Sequence, residues 1–351
     1  MEQYLEALKK ELMMYAETKY IKTSEFDEIS LGGGTPSLMT KEQMFGLIKF
    51  CEENFNLVDE YYIKISGSSR SFSKEKLVAA AEYGVYQADM GAQTFDDKLR
   101  RMLNLPDSAE HVKDEIRFAR KLGLCVCIDI MYSIPGQTLE SWIDTVKTAI
   151  ELDVEVDAYC LKVYSETVLY RQMQAGTVPP QPDPALEKQM YVVAYDLFTE
   201  AGYKPIGHDR YSRVEWHAKE KCLNGWPWAG ILTAGAGCFM GYFQKFSYSN
   251  VDLANDYSGA VQEGRFPIAK LSKSTDKDML RKVMAKLYLR LPINKLEFTE
   301  KFGTLPEDVY PEQLKRLKEK GLIHIDEKEI RLTKLGDLWK ANIAWEFAEN
   351  K

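Results

Sequence analysis

Three groups of residues in this chain have types and spacings suited to chemistry. The first is Gly32-Gly33-Gly34-Thr35-Pro36, directly after the segment Phe26–Leu31. Three glycines let backbone N–H groups converge on an anion or carboxylate, and let a ligand approach the chain closely. Thr35 adds a hydroxyl and Pro36 fixes the exit. The bland alternative is a tight strand-to-helix turn. No Gly-Lys-Ser and no GxGxxG follows, so neither a phosphate-binding loop nor a dinucleotide fingerprint fits. The second group is His208-Asp209-Arg210-Tyr211-Ser212-Arg213, which leads into nine aromatic residues between positions 211 and 248. Arginines suit carboxylates and aromatic rings suit a flat macrocycle, so His208, Arg210 and Arg213 are candidates for binding a tetrapyrrole. His208, His217 or Cys238 could be an axial haem ligand. An aromatic side core with solvated arginines is the competing reading. The third group is the cysteines, Cys51, Cys125, Cys127, Cys160, Cys222 and Cys238. Cys125 and Cys127 share one face of a predicted strand, with Cys160 on the next. Two thiols one residue apart cannot mimic a loop that wraps a cubane, so they read as small buried groups and no metal set is assigned. No catalytic residue is singled out.

The elements that must carry these residues alternate over the first 165 positions. Helical spacing covers 2–18, 41–54, 74–83, 108–122 and 139–152. Strand patterns cover 26–31, 61–66, 85–90, 124–132 and 156–163. Five βα-type repeats require parallel strands with covering helices, in an open sheet or a barrel. In either, functional loops lie at the carboxyl ends of the strands, where Gly32–Thr35, Ser66–Arg70, Gln93–Asp96 and Ser133–Gln137 fall. The series opens with a helix that has no strand before it. Residues 166–270 are turn-rich, with a helix predicted over 186–201. Residues 276–345 read as a small helical module ending in a two-strand wing, 321–326 and 329–333.

Composition bounds the rest. The 351 residues are 45% hydrophobic and 28% charged, ordinary for a globular chain of two or three domains. No run of about 18 apolar residues exists, so no membrane span is expected. The first residues lack the basic and apolar regions of a signal peptide, and the sparse cysteines suit a reducing cytoplasm. A net charge of −7 disfavours nucleic acid, and the wing is not read as a DNA reader. Residues 270–351 are net basic in an otherwise acidic chain, which marks a boundary near 270.

Several segments together resemble one family. Leu31-Gly32-Gly33-Gly34-Thr35-Pro36-Ser37-Leu38, Gly91-Ala92-Gln93-Thr94-Phe95 and the run from Asp129 to Thr138 are similar, in the right order, to the coproporphyrinogen-oxidase-like branch of the radical S-adenosylmethionine superfamily. The later segments Val156–Tyr164, Ala234–Gly237 and Val261–Ile268 resemble that branch's anaerobic haem-utilisation proteins. The resemblance implies a partial parallel (β/α) barrel lacking its first βα unit over 1–165. An aromatic-rich extension over 166–270 and a C-terminal helical and winged module over 271–351 would follow. It also implies that Gly32, Gly33, Gly34 and Thr35 hold the methionyl end of S-adenosylmethionine, with Gln93, Asp129 and Met131 on the ribose and adenine side. Three departures stand against full activity. The family's CxxxCxxC loop, which holds a [4Fe–4S] cluster, is absent from this chain. Ser66 stands where the family has a glutamate, and Leu105 where it has an arginine. The expectation is a tetrapyrrole-metabolism protein: an enzyme of methyl transfer or oxidation, with a redox partner, if an upstream segment supplies the cluster. The alternative is a haem or porphyrin carrier with a weak or vestigial S-adenosylmethionine site. The genomic sequence ahead of Met1 separates the two.

Overall fold

The computed structural model describes residues 1–213, 227–238 and 241–348. The chain divides into two compact units. The first is Met1–Gly202 with two returning segments, Ala234–Phe239 and Asn250–Ala269; the second is Tyr203–Thr233, Met240–Ser249 and Lys270–Lys351. The division between 269 and 270 coincides with the change of charge. Residues 166–270, expected as one extension, are instead shared between the units. At the early end, the helix Pro184–Glu200 is tied to the barrel helix Leu139–Leu152 through Trp142 and so extends the first unit past 165.

In the first unit five strands carry the parallel sheet: β1 (Phe26–Leu31), β2 (Leu57–Ser68), β3 (Gln87–Gln93), β4 (Cys125–Tyr132) and β5 (Glu155–Cys160). Their spatial order follows the chain order, and every pair is parallel. Parallel crossovers are right-handed, so an unreversed order places every crossover helix on one face. The other face is left free to curl inward, which selects the partial barrel over an open doubly wound sheet. The helices are α1 (Glu2–Ala16), α2 (Lys19–Lys22), α3 (Lys41–Asn54), α4 (Lys74–Tyr83), α5 (Asp97–Met102), α6 (Ala109–Lys121), α7 (Leu139–Leu152), α8 (Val168–Gln174) and α9 (Pro184–Glu200). Their starts are written in the sequence. Thr40, Ser73, Ser108, Thr138 and Asp183 each accept a first-turn N–H, and Thr40 with Gln43 completes a capping box.

Alternation along the strands sorts residues between the two faces. On β4, Val126, Ile128, Ile130 and Tyr132 are buried, and the Tyr132 ring lies 5.5 Å from Trp142 of α7. Trp142 in turn donates its indole N–H to the Met190 carbonyl of α9 at 2.8 Å. The inner face has a different composition. Register places Lys64 and Ser66 of β2 with Gln87 and Asp89 of β3, Cys125, Cys127 and Asp129 of β4, and Glu155 and Asp157 of β5. That face is polar and acidic, relieved by Lys64, whose ammonium pairs with Glu28 at 3.1 Å.

Helix α1 is tied to the returning segments by Glu11, which is fully buried. Its carboxylate accepts from the Gly235 N–H at 2.8 Å, the Asn250 amide at 2.7 Å and the Tyr257 hydroxyl at 2.5 Å. Tyr257 lies on α10 (Ala254–Gln262), and Tyr4 of α1 accepts from the Ala236 N–H at 3.0 Å. The Ala234–Gly237 motif is therefore a loop clamped by the first helix.

The second unit contains a short antiparallel hairpin, β6 (Lys204–Ile206) with β7 (Arg210–Ser212), and all but the last residue of another, β8 (Gly241–Phe243) with β9 (Phe246–Asn250). Its core gathers Val283, Leu287, Phe298, Leu314, Leu317 and Ile330. The predicted wing is present as Ile323–Ile325 and Glu329–Leu332, but it does not end the module. A third strand, Ile293–Asn294, joins Glu329–Leu332, and helices Lys334–Leu338 and Lys340–Trp345 follow. Among the described residues no helix is long and apolar enough to cross a membrane.

Candidate functional site

The carboxyl ends of β1 to β4 bring together the first group of predicted residues. Gly33 and Gly34 adopt φ of 67° and 48°, and a Cβ on either would meet nothing within 4 Å. Glycine is needed there for backbone direction, and the space over the loop is open. Thr35 leads into a 3₁₀ turn at Pro36–Leu38. Gly32 lies beside β2, where a Cβ would sit 3.9 Å from the Ser66 hydroxyl. On β3, Gln93 folds its amide back over Gly91, so that a Cβ on Gly91 would come within 2.8 Å of the amide nitrogen. Gly91 is the register partner of Asp129, so the Gln93 amide lies on the inner face over that pair, while the register shifts after Gly91 and Gln93 itself pairs with Ile130. Met131 follows two residues along β4, and its carbonyl accepts from Gln137 at 3.3 Å.

The two family departures have visible structural consequences. The Ser66 hydroxyl donates to the Asp89 carboxylate at 3.3 Å, and the Gln87 amide donates to the same carboxylate at 2.6 Å. Where a glutamate would offer charge at the strand end, this chain offers a hydroxyl already engaged with its neighbour. Leu105 is half-buried, in the turn after α5. Ser133, directly after β4, adopts a φ of 61°, and its carbonyl accepts from Gln181 at 2.7 Å.

Cys125, Cys127 and Cys160 are not placed to share an iron–sulfur cluster. Cys160 is the register partner of Tyr132, on the helix-covered face, whereas Cys125 and Cys127 alternate onto the inner face. Five positions along the strands separate Cys160 from Cys127, which is about 16 Å at the usual strand rise. Burial pushes the Cys160 thiol up to about 11, away from the thiolate that iron requires. Among the described residues no three His, Cys, Asp or Glu side chains converge as a metal site.

The second predicted group lies in the second unit and is largely engaged in holding it together. His208 packs edge-on against Tyr288, with ring centres 3.9 Å apart. Asp209 pairs with Lys340 at 3.4 Å. The Arg290 guanidinium donates to the Arg210 carbonyl at 3.0 Å, covers the Tyr211 ring at 5.0 Å, and pairs with Asp337 at 2.8 Å. Arg213 stacks over Tyr203 at 4.7 Å. The side chains of Arg210 and Arg213 remain half-buried. Of the aromatic stretch, Trp228 joins the module core beside Phe302, and Phe243 stacks on Tyr248. Trp216, His217, Cys222, Trp226 and Phe239 lie outside the described residues. Neither Arg290 nor Asp337 was singled out in the sequence, since each is a single charge on a module that reads as solvated.

A sequential parallel half-barrel with a glycine-rich first loop is the architecture of radical S-adenosylmethionine proteins, and the comparisons agree. Residues 5–149 match the Radical SAM superfamily, and residues 274–339 match the HemN C-terminal domain. The chain is 30% identical over 346 residues to heme chaperone HemW of Bacillus subtilis, spanning 96% of this chain and 89% of the relative. It is 25% identical over 358 residues to the oxygen-independent coproporphyrinogen III oxidase of Escherichia coli, spanning 97% and 78%. The solved structure of that Escherichia coli enzyme aligns with a TM-score of 0.85 at 24% identity, covering 99% of this chain and 82% of that one. The chain belongs to the radical SAM superfamily, in the branch that holds HemW and the oxygen-independent coproporphyrinogen III oxidases.

Proposed function

We propose that this protein is a haem or porphyrin carrier that retains the radical SAM fold around a weak S-adenosylmethionine site. The observation that carries the reading is the Ser66–Asp89–Gln87 chain: the strand-end position that should offer a carboxylate to the methionine ammonium holds a hydroxyl bonded to a neighbour. The misplaced thiols and Leu105 point the same way. Its relative HemW is a heme chaperone, which fits a carrier. Gly32–Thr35, Gln93, Asp129 and Met131 would still cradle the nucleoside and methionyl ends of the ligand. Their common position at the strand ends supports a second reading, in which the chain acts in a radical reaction on a porphyrin.

Two measurements test the carrier. S-adenosylmethionine should bind no tighter than about 0.1 mM, roughly −5.5 kcal/mol, by calorimetry. The pair Ser66→Glu with Leu105→Arg should strengthen binding more than either change alone, because both groups would meet one zwitterion. Micromolar binding by the unaltered chain defeats the vestigial site. The tetrapyrrole is assigned to the Arg210 and Arg213 region. In an acidic protein, a polycarboxylate favours a local basic pocket bordered by aromatics. Haem titration followed by Soret absorbance and tryptophan quenching should saturate. Arg210→Ala and Arg213→Ala should each weaken it about five- to tenfold, as half-buried ion pairs do. Unsaturable binding, or variants indistinguishable from wild type, removes this assignment.

A further inference from the structure

Gln93 closes β3 in a conformation that its residue type resists. Its φ is 65°, and across it the Thr94 N–H donates to the Ala92 carbonyl at 2.8 Å. A bond spanning two residues around a positive φ is the rarer, strained form of γ-turn. Such strain persists only where the surroundings over-determine it.

Thr94 is anchored by its hydroxyl, which meets Thr145 at 3.3 Å and accepts from the Asp96 N–H at 3.2 Å, but one side chain holds the carbonyls on both sides of Gln93. Arg100, on α5, is only 3% exposed. Its Nη1 donates to the Ala92 carbonyl at 2.7 Å and to the Thr94 carbonyl at 2.9 Å, so one nitrogen grips both carbonyls flanking Gln93. Its Nε donates to the Asp107 carbonyl at 2.7 Å. Asp107 also accepts from the Ser69 hydroxyl at 3.0 Å, which extends the clamp to the segment after β2. Burial lowers the affinity of Arg100 for its proton, but a guanidinium stays charged. The three carbonyls supply the negative ends that such a buried cation needs. A lysine carries one compact ammonium and cannot span the same three positions in the plane of a guanidinium. In front of the turn, Gly91 leaves room for the Gln93 amide.

We infer that Arg100 is a positioning residue: it locks the γ-turn at Gln93 and so aims the Gln93 amide onto the inner face beside Asp129. That a ligand meets this amide rests on the function proposed above; the locking itself does not.

Urea unfolding of the full chain with Q93G, R100K and the double variant tests the lock. Q93G should raise the midpoint, because glycine accepts positive φ. R100K should lower it, and the loss should shrink by at least about half in the Q93G background, since the clamp then restrains little. An equal loss in both backgrounds, or a lower midpoint for Q93G, would overturn the inference. If R100K alone does not fold, the double variant decides: recovered cooperative unfolding supports the lock, and continued failure rejects it. A separate arm, S-adenosylmethionine titration of Q93A, addresses the ligand. Binding unchanged by Q93A removes the site reading and leaves the outcome of the cycle intact.

Discussion

Gly336→Ala is expected to destabilise the second unit by about 3–5 kcal/mol, a loss of the size that overpacking reaches only when the neighbour cannot yield. Gly336 sits in the first turn of helix Lys334–Leu338, capped by the Thr333 hydroxyl at 3.0 Å. A Cβ there would lie 1.8 Å from the Leu322 carbonyl oxygen. That oxygen is backbone, and it is fixed from two sides: it accepts from the Thr333 N–H at 3.1 Å, while the Thr333 hydroxyl holds the adjacent Gly321 carbonyl at 2.7 Å. No rotamer relieves the contact. Either the helix start or the hairpin must move, and the hairpin supplies Ile323 and Ile330 to the module core. Gly46→Ala is the matched control. Gly46 lies inside α3 with open space around its Cβ position, so alanine there should gain up to about 1 kcal/mol. Urea unfolding followed by far-ultraviolet circular dichroism compares the two. A Gly336→Ala loss under about 1 kcal/mol would mean that the close approach of helix and hairpin is not obligatory.

Glu11→Ala should cost about 3 kcal/mol or more, by a different route. It deprives the Gly235 N–H and the Tyr257 hydroxyl of their acceptor in a buried site, leaves the Asn250 amide only the Gly235 carbonyl, and opens a cavity besides. Glu11→Gln should cost less, because one amide oxygen still accepts. The pair also has a pH signature. Burial raises the Glu11 pKa above its ordinary 4.5, against the lowering pull of Tyr257, Gly235 and Asn250. The folded state therefore holds this proton more tightly than the unfolded chain does. The resulting stabilisation is complete below the unfolded value and is lost as pH rises through the folded one. Wild type should thus lose its advantage over Glu11→Gln as pH rises above the ordinary carboxylate range. Urea midpoints at several pH values read the difference directly, and a difference that grows with pH contradicts the buried, proton-retaining carboxylate.

The residues behind these predictions show what a sequence displays and what it conceals. Strand β1 and helices α3, α4 and α7 were legible to the residue at most ends, because caps and periodicity are local signals. The glycine loop, Gln93 and Asp129 were legible through their order along the chain. Glu11 was not, since on a helix written Glu2–Ala16 it is one acid among several, and its partners lie more than two hundred positions away. Arg100 reads as a surface cation on a short helix, and only the fold turns it toward the end of β3. His208 to Tyr211 had the chemistry of a ligand pocket, but most of that chemistry is engaged with Tyr288, Lys340 and Arg290. The strand Ile293–Asn294 is too short for any pattern to register.

The position of Glu11 also sets a schedule. Its three partners follow it by 224, 239 and 246 residues. During synthesis at about 5–20 residues per second, α1 leaves the ribosome roughly ten to fifty seconds before the groups that hydrogen-bond its buried acid exist. All five barrel strands are made in that interval, so the sheet can assemble while its first helix is still unpaired. Long-range closures of this kind slow folding and leave apolar surface exposed in the meantime. A fragment ending at residue 202 contains all five parallel strands and none of the partners of Glu11. Such a fragment should therefore stop at this half-assembled stage, and dissection of the protein should keep residues 1–269 together.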